Sequence, residues 1–190
     1  MRKIIVSEFI TLDGVIEAPG PAHDFKHAGW TMPYWGDDIG KFKLEELFAS
    51  DALLLGRKTY QGFAAAWPAM KDPDGFADRM NSLPKYVATK SLKTLEWHNS
   101  HALNGDVAAE VSKLKQQPGQ GILVAGSGKL VQTLMQHGLV DEFRLLVYPV
   151  VLGEGQWLFA AGAQAKLELI GAQSFTSGVV ACRYRVAGKA

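Results

Sequence analysis

Apolar residues recur along this chain in two rhythms, and the change from one to the other outlines a fold. Ile4 to Thr11 (IIVSEFIT) is a run of β-branched and apolar residues that stops at Asp13-Gly14, so it reads as a strand followed by a turn. Phe42, Leu44, Leu47 and Phe48 keep a helical period in KFKLEELFAS, and the run DALLLG after them reads as a second strand. Thr59 to Ala66 has helical character as far as Pro68, and a short helix is expected from Asp74 to Ser82. PKYVAT, residues 84 to 89, reads as a strand, and Leu92 to Leu103 has room for one or two shorter ones. Asp106 to Gln117 is amphipathic: Asp106 is placed to cap it, Val107, Val111 and Leu114 share one face, and Pro118-Gly119 ends it. The strand GILVAG and a helix from Lys129 to His137 follow. From Asp141 onward the runs EFRLLVYPVVLG, KLELIGAQSF and GVVACRYRV are strand-like with little helix between them, and Thr176-Ser177-Gly178 is a hairpin-like turn.

The first two thirds therefore alternate strand and helix, and the last third adds strands. That order predicts a single α/β domain over 1–190, a three-layer sandwich. Its central sheet is mostly parallel, with helices on both faces and antiparallel strands at its C-terminal edge. Residues 17 to 37 fit neither rhythm. Loops of that length are functional or disordered, and Trp30, Met32, Tyr34 and Trp35 argue against disorder.

Composition narrows the classes. A chain of 190 residues with 47% apolar and 21% charged side chains can build one sizeable core. With 20 Lys and Arg against 19 Asp and Glu the formal charge is +1, so no global field attracts nucleic acid or an anionic membrane. Cys182 stands alone and the His residues are scattered, so neither a disulfide framework nor a zinc site is expected. Ser7, Glu8 and Asp13 break the first apolar run, so a first strand rather than a signal peptide is expected there, and no stretch approaches the ~20 apolar residues of a membrane helix. A cytoplasmic protein acting on a small molecule is the expectation.

Candidate chemistry lies at strand-to-helix junctions. Gly56-Arg57-Lys58-Thr59 follows LLL, and Gly126-Ser127-Gly128-Lys129-Leu130 follows ILVA. In both, a glycine precedes a helix whose N–H groups and positive dipole end would face the carboxyl edge of the sheet, where open α/β sheets bind ligands. Thr89-Lys90-Ser91 adds two hydroxyls and a cation at a third strand end. Two anion sites on one edge suit a dinucleotide. With Arg57 and Lys90 closing on a ribose phosphate, the cofactor would be NADPH rather than NADH. GSGK has neither Walker spacing nor the GxGxxG pattern, since Val131 stands third after Gly128, which leaves an ATP-binding reading remote.

LLLGRKTYQGF, YVATKS, ILVAGSGKLVQTLM, VDEFRLLVYPVVLGEGQWLF and the opening SEFITLDGVI resemble, in order and spacing, segments of the dihydrofolate reductase-like superfamily. They are most similar to the reductase domain at the C-terminus of the bifunctional riboflavin biosynthesis deaminase-reductase. No deaminase signature occurs, so the resemblance implies a stand-alone reductase-like domain. It implies that Gly56, Arg57, Lys58 and Thr59 hold the cofactor pyrophosphate and ribose phosphate. Thr89, Lys90 and Ser91 would complete the phosphate site, and Gly126, Ser127, Gly128, Lys129 and Leu130 would line the nicotinamide ribose. Asp13, Gly14 and Val15 fall where the first strand would meet the nicotinamide, and Gly153, Glu154 and Gly155 near the substrate mouth.

Against that family the pattern departs in two places. Asp37 and Asp38 stand near the position of the dihydrofolate reductase carboxylate at a slightly longer spacing, and as helix first-turn residues they have an ordinary explanation. The aromatic loop has no clear counterpart in the riboflavin enzyme. Trp30, Tyr34 and Trp35 either form a satellite core or stack a flat heterocycle, with Gly153 at the mouth. Hydride transfer also needs a proton, for which Asp38, Glu154, Asp13 or bound water are the candidates, ahead of Glu17 and Tyr148. The expectation is an NADPH-dependent reductase of a pterin- or aminopyrimidine-like substrate, working as a homodimer. The alternative is a non-catalytic NADP(H)- or ligand-binding protein of the same fold.

Overall fold

The computed structural model describes residues 1–21 and 24–188. Its strands are β1 (Ile4–Thr11), β2 (Ser50–Gly56), β3 (Lys85–Ala88), β4 (Ser100–Leu103), β5 (Gly121–Ala125), β6 (Glu142–Tyr148), β7 (Leu167–Ser174) and β8 (Val180–Val186). They lie in one sheet in the order β4-β3-β2-β5-β1-β6-β8-β7. Every pairing from β4 across to β6 is parallel, and β8 runs against both its neighbours. The antiparallel edge is therefore made by β8 alone. Strand β7, beyond it, points the same way as the parallel set.

Five helices cover the faces: α1 (Asp37–Phe48), α2 (Arg57–Ala66), α3 (Phe76–Ser82), α4 (Val107–Gln116) and α5 (Gly128–Gln136). On one face Ile4, Val6 and Ile10 of β1 pack with Val111 and Leu114 of α4 and Leu130, Val131 and Leu134 of α5. On the other, Ile5 packs with Leu47 of α1, Tyr60 of α2 and Met80 of α3. This is the three-layer sandwich the sequence predicts. Asp106 caps α4, its Oδ1 accepting from the Ala109 N–H at 2.8 Å. Helix α1 starts at Asp37, earlier than its apolar period suggests, because Asp37 and Asp38 fill its first turn and complement the dipole. Between Leu92 and Leu103 only β4 forms. The preceding loop is instead held by Trp97, which donates from its backbone to Tyr60 Oη at 3.1 Å and from its indole to Asn81 Oδ1 at 2.7 Å. Among the described residues no helix is long and apolar enough to cross a membrane.

One buried cation sits in this second layer. Lys85 opens β3 fully buried; its ammonium donates to the carbonyls of Asn81 and His98 and lies 4.3 Å from the centre of the Trp97 ring. Burial pulls its pKa down from 10.5 to about 8. Between those values the unfolded chain binds more protons than the folded one, so stability should rise with pH across that window by up to ~1 kcal/mol per pH unit. Lys85→Met is expected to lose that rise in denaturant titrations run at neutral and alkaline pH, and an unchanged slope would place the linkage elsewhere.

Candidate functional site

The carboxyl ends of β3, β2 and β5 finish at one level, since Gly56 is in register with Ala88 and Leu54 with Val124. Gly56-Arg57-Lys58-Thr59, Thr89-Lys90-Ser91 and Gly126-Ser127-Gly128 thus leave the sheet side by side. Ser127 ties two of them together. Its hydroxyl accepts from the Gly56 N–H at 2.9 Å and donates to Thr59 Oγ1 at 2.9 Å. A left-handed backbone at Gly126 (φ +58) and Ser127 (φ +70) makes this reach possible. At Gly128 a Cβ would meet Gln156 Nε2 at 2.5 Å and Ile16 Cδ1 at 2.7 Å, so a side chain there would have to displace the ends of both.

Neither α2 nor α5 has a side-chain cap at its N-terminus. Their first-turn amides and dipole ends are left to an outside anion. Around them Arg57, Lys58, Lys90 and Lys129 are exposed, and the Arg57 guanidinium is steadied only by Gln61 Oε1 at 3.1 Å. Thr89 turns its hydroxyl inward, accepting from the amides of Ser91 at 3.3 Å and Leu92 at 3.1 Å, so Lys90 projects past it. A cavity of about 490 Å³ opens beside these residues, lined by Thr89, Lys90, Leu92, Asn104, Gly105 and Asp106. Together they form a cationic, amide-rich edge of the kind that attracts anionic groups.

The turn after β1 is zipped to the segment after β6. Leu12 and Ile16 donate backbone bonds to Val150 and Gln156, and Leu158 donates to Gly14. Asp13 is the clasp: its carboxylate accepts from Thr11 Oγ1 at 2.5 Å and from the amides of Leu152 and Gly153. Those bonds, the Thr11 hydroxyl first, hold its pKa below the usual carboxylate range. Asp38 is lowered in the same way, chiefly by the Thr176 amide, whose hydroxyl also donates to it at 3.0 Å. Glu154 is lowered by Lys26 first and by His27 at 3.0 Å. Asp13, Asp38 and Glu154 are therefore held as carboxylates at neutral pH. Asp13 and Asp38 act as loop clasps, and Glu154 as one end of an ion pair.

The aromatic loop folds onto the end of β6. Trp30, 7% exposed, anchors through its indole N–H to the Glu17 carbonyl at 2.8 Å and meets the Tyr148 ring edge-on at 5.2 Å. Tyr34 and Phe9 approach the same ring at 5.9 and 5.7 Å, while Trp35, half exposed, stands over Phe9 at 6.0 Å. Trp30 is thus the satellite core, and Trp35 stays on the rim. Tyr148 is fully buried and its hydroxyl has no hydrogen-bond partner. Burial raises its pKa, so it stays a neutral phenol.

Sequence reasoning passed over Glu8. It lies in the centre of β1, 5% exposed, with Oε1 unpartnered; the Gly126 N–H faces its carboxyl without closing a full hydrogen bond. Burial outweighs the nearby Lys43 charge and pushes its pKa from 4.5 to about 8. The signal was present in IIVSEFIT: an acid inside a strand buried on both faces must be paired or neutral.

Comparison with known proteins accords with this architecture. The uncharacterized protein YyaP of Bacillus subtilis (strain 168) is 34% identical over 187 residues, 96% of this chain and 94% of that protein. A second, YwjB of the same organism, is 29% identical over 94% of this chain and 95% of that one. Among solved structures, a putative riboflavin biosynthesis protein from Shewanella sp. PV-4 superposes with a TM-score of 0.66 at 16% identity, covering 97% of this chain and 99% of the other. A pyrimidine reductase-like protein from Corynebacterium diphtheriae gives 0.63 at 12% identity, covering 99% and 93%. Acinetobacter baumannii RibD gives 0.62 at 16%; the match takes in 98% of this chain and 58% of that longer one. Residues 2–181 match the family described as the RibD C-terminal domain, and with that fold and that carboxyl edge the chain belongs to it.

Proposed function

We propose that this protein is an NADPH-dependent reductase of a small flat heterocycle of the pterin or aminopyrimidine kind. The observation that carries the reading is the Ser127 bridge, which locks two uncapped helix N-termini together beneath exposed Arg57, Lys58 and Lys90. Membership of the RibD C-terminal domain family and the fold shared with a pyrimidine reductase-like protein support the reaction class. NADPH supplies the hydride. The protein's own share is placement: amides of α2 and α5 toward the pyrophosphate, the Arg57 fork and Lys90 toward the ribose phosphate, and the zipped turn 11–15 beside the reacting carbon. Trp35, half exposed beside Phe9, offers a face for the substrate ring. The proton that balances the hydride then comes from solvent, since Asp13, Asp38 and Glu154 are ionised. The same ionisation favours a second reading, a protein that binds NADPH without turning it over.

Calorimetric titration with NADPH and NADH separates these possibilities. Arg57→Ala is expected to weaken NADPH binding about tenfold, roughly 1.4 kcal/mol, and leave NADH nearly unchanged. Equal losses for both cofactors would remove Arg57 from the ribose phosphate. Oxidation of NADPH in the presence of pterins or aminopyrimidines distinguishes turnover from binding alone. Tyr148→Phe, which deletes a buried hydroxyl with no partner, should leave the free protein as stable or up to ~1 kcal/mol more stable. Thermal unfolding reads this directly, and a clear loss of stability would mean that the hydroxyl is bonded within the fold.

A further inference from the structure

We propose that Glu8 is a positioning residue for the turn Gly126–Gly128, setting from inside the sheet how firmly the amides of that turn hold an anionic cofactor. The inference rests on the cofactor reading above and assigns a residue outside the edge that would touch the ligand. Its basis is placement. Ser7 is in register with Ala125, so Glu8 stands level with the residue at which β5 becomes the turn. Its carboxyl is buried against the Gly126 amide, one oxygen has no partner, and the helix that starts two residues later carries no side-chain cap.

Among the described residues no counter-ion lies on that carboxyl's own face. Strand β5 presents Val124, α5 presents Leu130, Val131 and Leu134, and β6 sets Leu145 beside it, with Cys182 of β8 in the same row one strand beyond. Lys43 and Glu46 of α1 act on it with opposite signs. Both are already occupied with Ser7, which donates to Glu46 at 2.7 Å and accepts from Lys43 at 2.6 Å. A neutral Glu8 leaves the turn's amides and the α5 dipole to a pyrophosphate. An ionised Glu8 places a negative charge beneath the same amides and competes with that anion. Bound phosphates in turn favour the protonated acid, so binding and protonation are linked.

The sign follows from the acid's position near pH 8. Below that value Glu8 is protonated with or without cofactor, and affinity is flat. Above it binding must take up a proton, and affinity falls by up to ~tenfold per pH unit. NADPH is titrated calorimetrically into the full chain from neutral pH to roughly one unit above this value, in buffers of differing ionisation enthalpy. Wild type should show a flat affinity that declines, with proton uptake, at the alkaline end. Glu8→Gln keeps an acceptor for Gly126 but cannot ionise, and should bind as tightly at neutral pH with no decline.

A pH-independent wild type, or a decline that persists in Glu8→Gln, would overturn the role of Glu8 while leaving the cofactor site intact. Proton uptake by the wild type is read without any variant. No NADPH binding at any pH would overturn the cofactor reading together with this one.

Discussion

Strand β1 runs between two parallel neighbours and is covered by helices on both faces, so none of its polar atoms can turn to water. Every other feature is arranged around that enclosure. The apolar residues in IIVSEFIT meet it by alternating between the layers, but Ser7 and Glu8 put polar groups on opposite faces at mid-strand. On the α1 face the problem is solved by a network: Ser7, Lys43 and Glu46 bond to one another, and Arg144 reaches both Glu46 and Glu142. On the α5 face it is solved by protonation. A carboxyl that is cheaper to neutralise than to pair lies under the turn at the uncapped start of α5.

The carboxyl edge is as much a joint as a surface. Ser127 spends its hydroxyl between β2 and α2, so the two glycine turns move as one piece and the amides of both helices keep a fixed spacing. The clasp at Asp13 does the same for the turns after β1 and β6. Rigid elements carry the amides, while the cations sit on free side chains. Backbone shape is thereby set before any ligand arrives, and charge adapts afterward.

Periodicity made the layers, nearly every strand and the cap at Asp106 legible, because each depends on local chemistry. The junctions at Gly56 and Gly126 were legible too, and strand order put them side by side. What could not be read were consequences of long-range contact. Asp38 and Glu154 look like free acids in sequence, and it is the distant partners Thr176 and Lys26 that lower their pKa. The apolar period alone would start α1 later, but Asp37 and Asp38, read from sequence as first-turn acids, mark its true beginning. Trp30 and Trp35 are five positions apart in one aromatic loop, yet one is core and the other rim, a difference set by Tyr148 far along the chain. Glu8 was visible and unread, since an acid in a strand signals nothing until the burial of both faces is known.

The strand order also bears on how the chain assembles. Strand β1 pairs with β5 on one side and β6 on the other, both later in the chain. During synthesis β1 therefore precedes both of its neighbours, while β2, β3 and β4 can already zip to one another. Until β5 and β6 have emerged, IIVSEFIT is an open edge with both ladders unfilled, the kind of segment that chains exchange or aggregate through. A glutamate at its centre, ionised in the unfolded chain and neutral in the native one, guards that edge against pairing with its own copies before the fold closes over it.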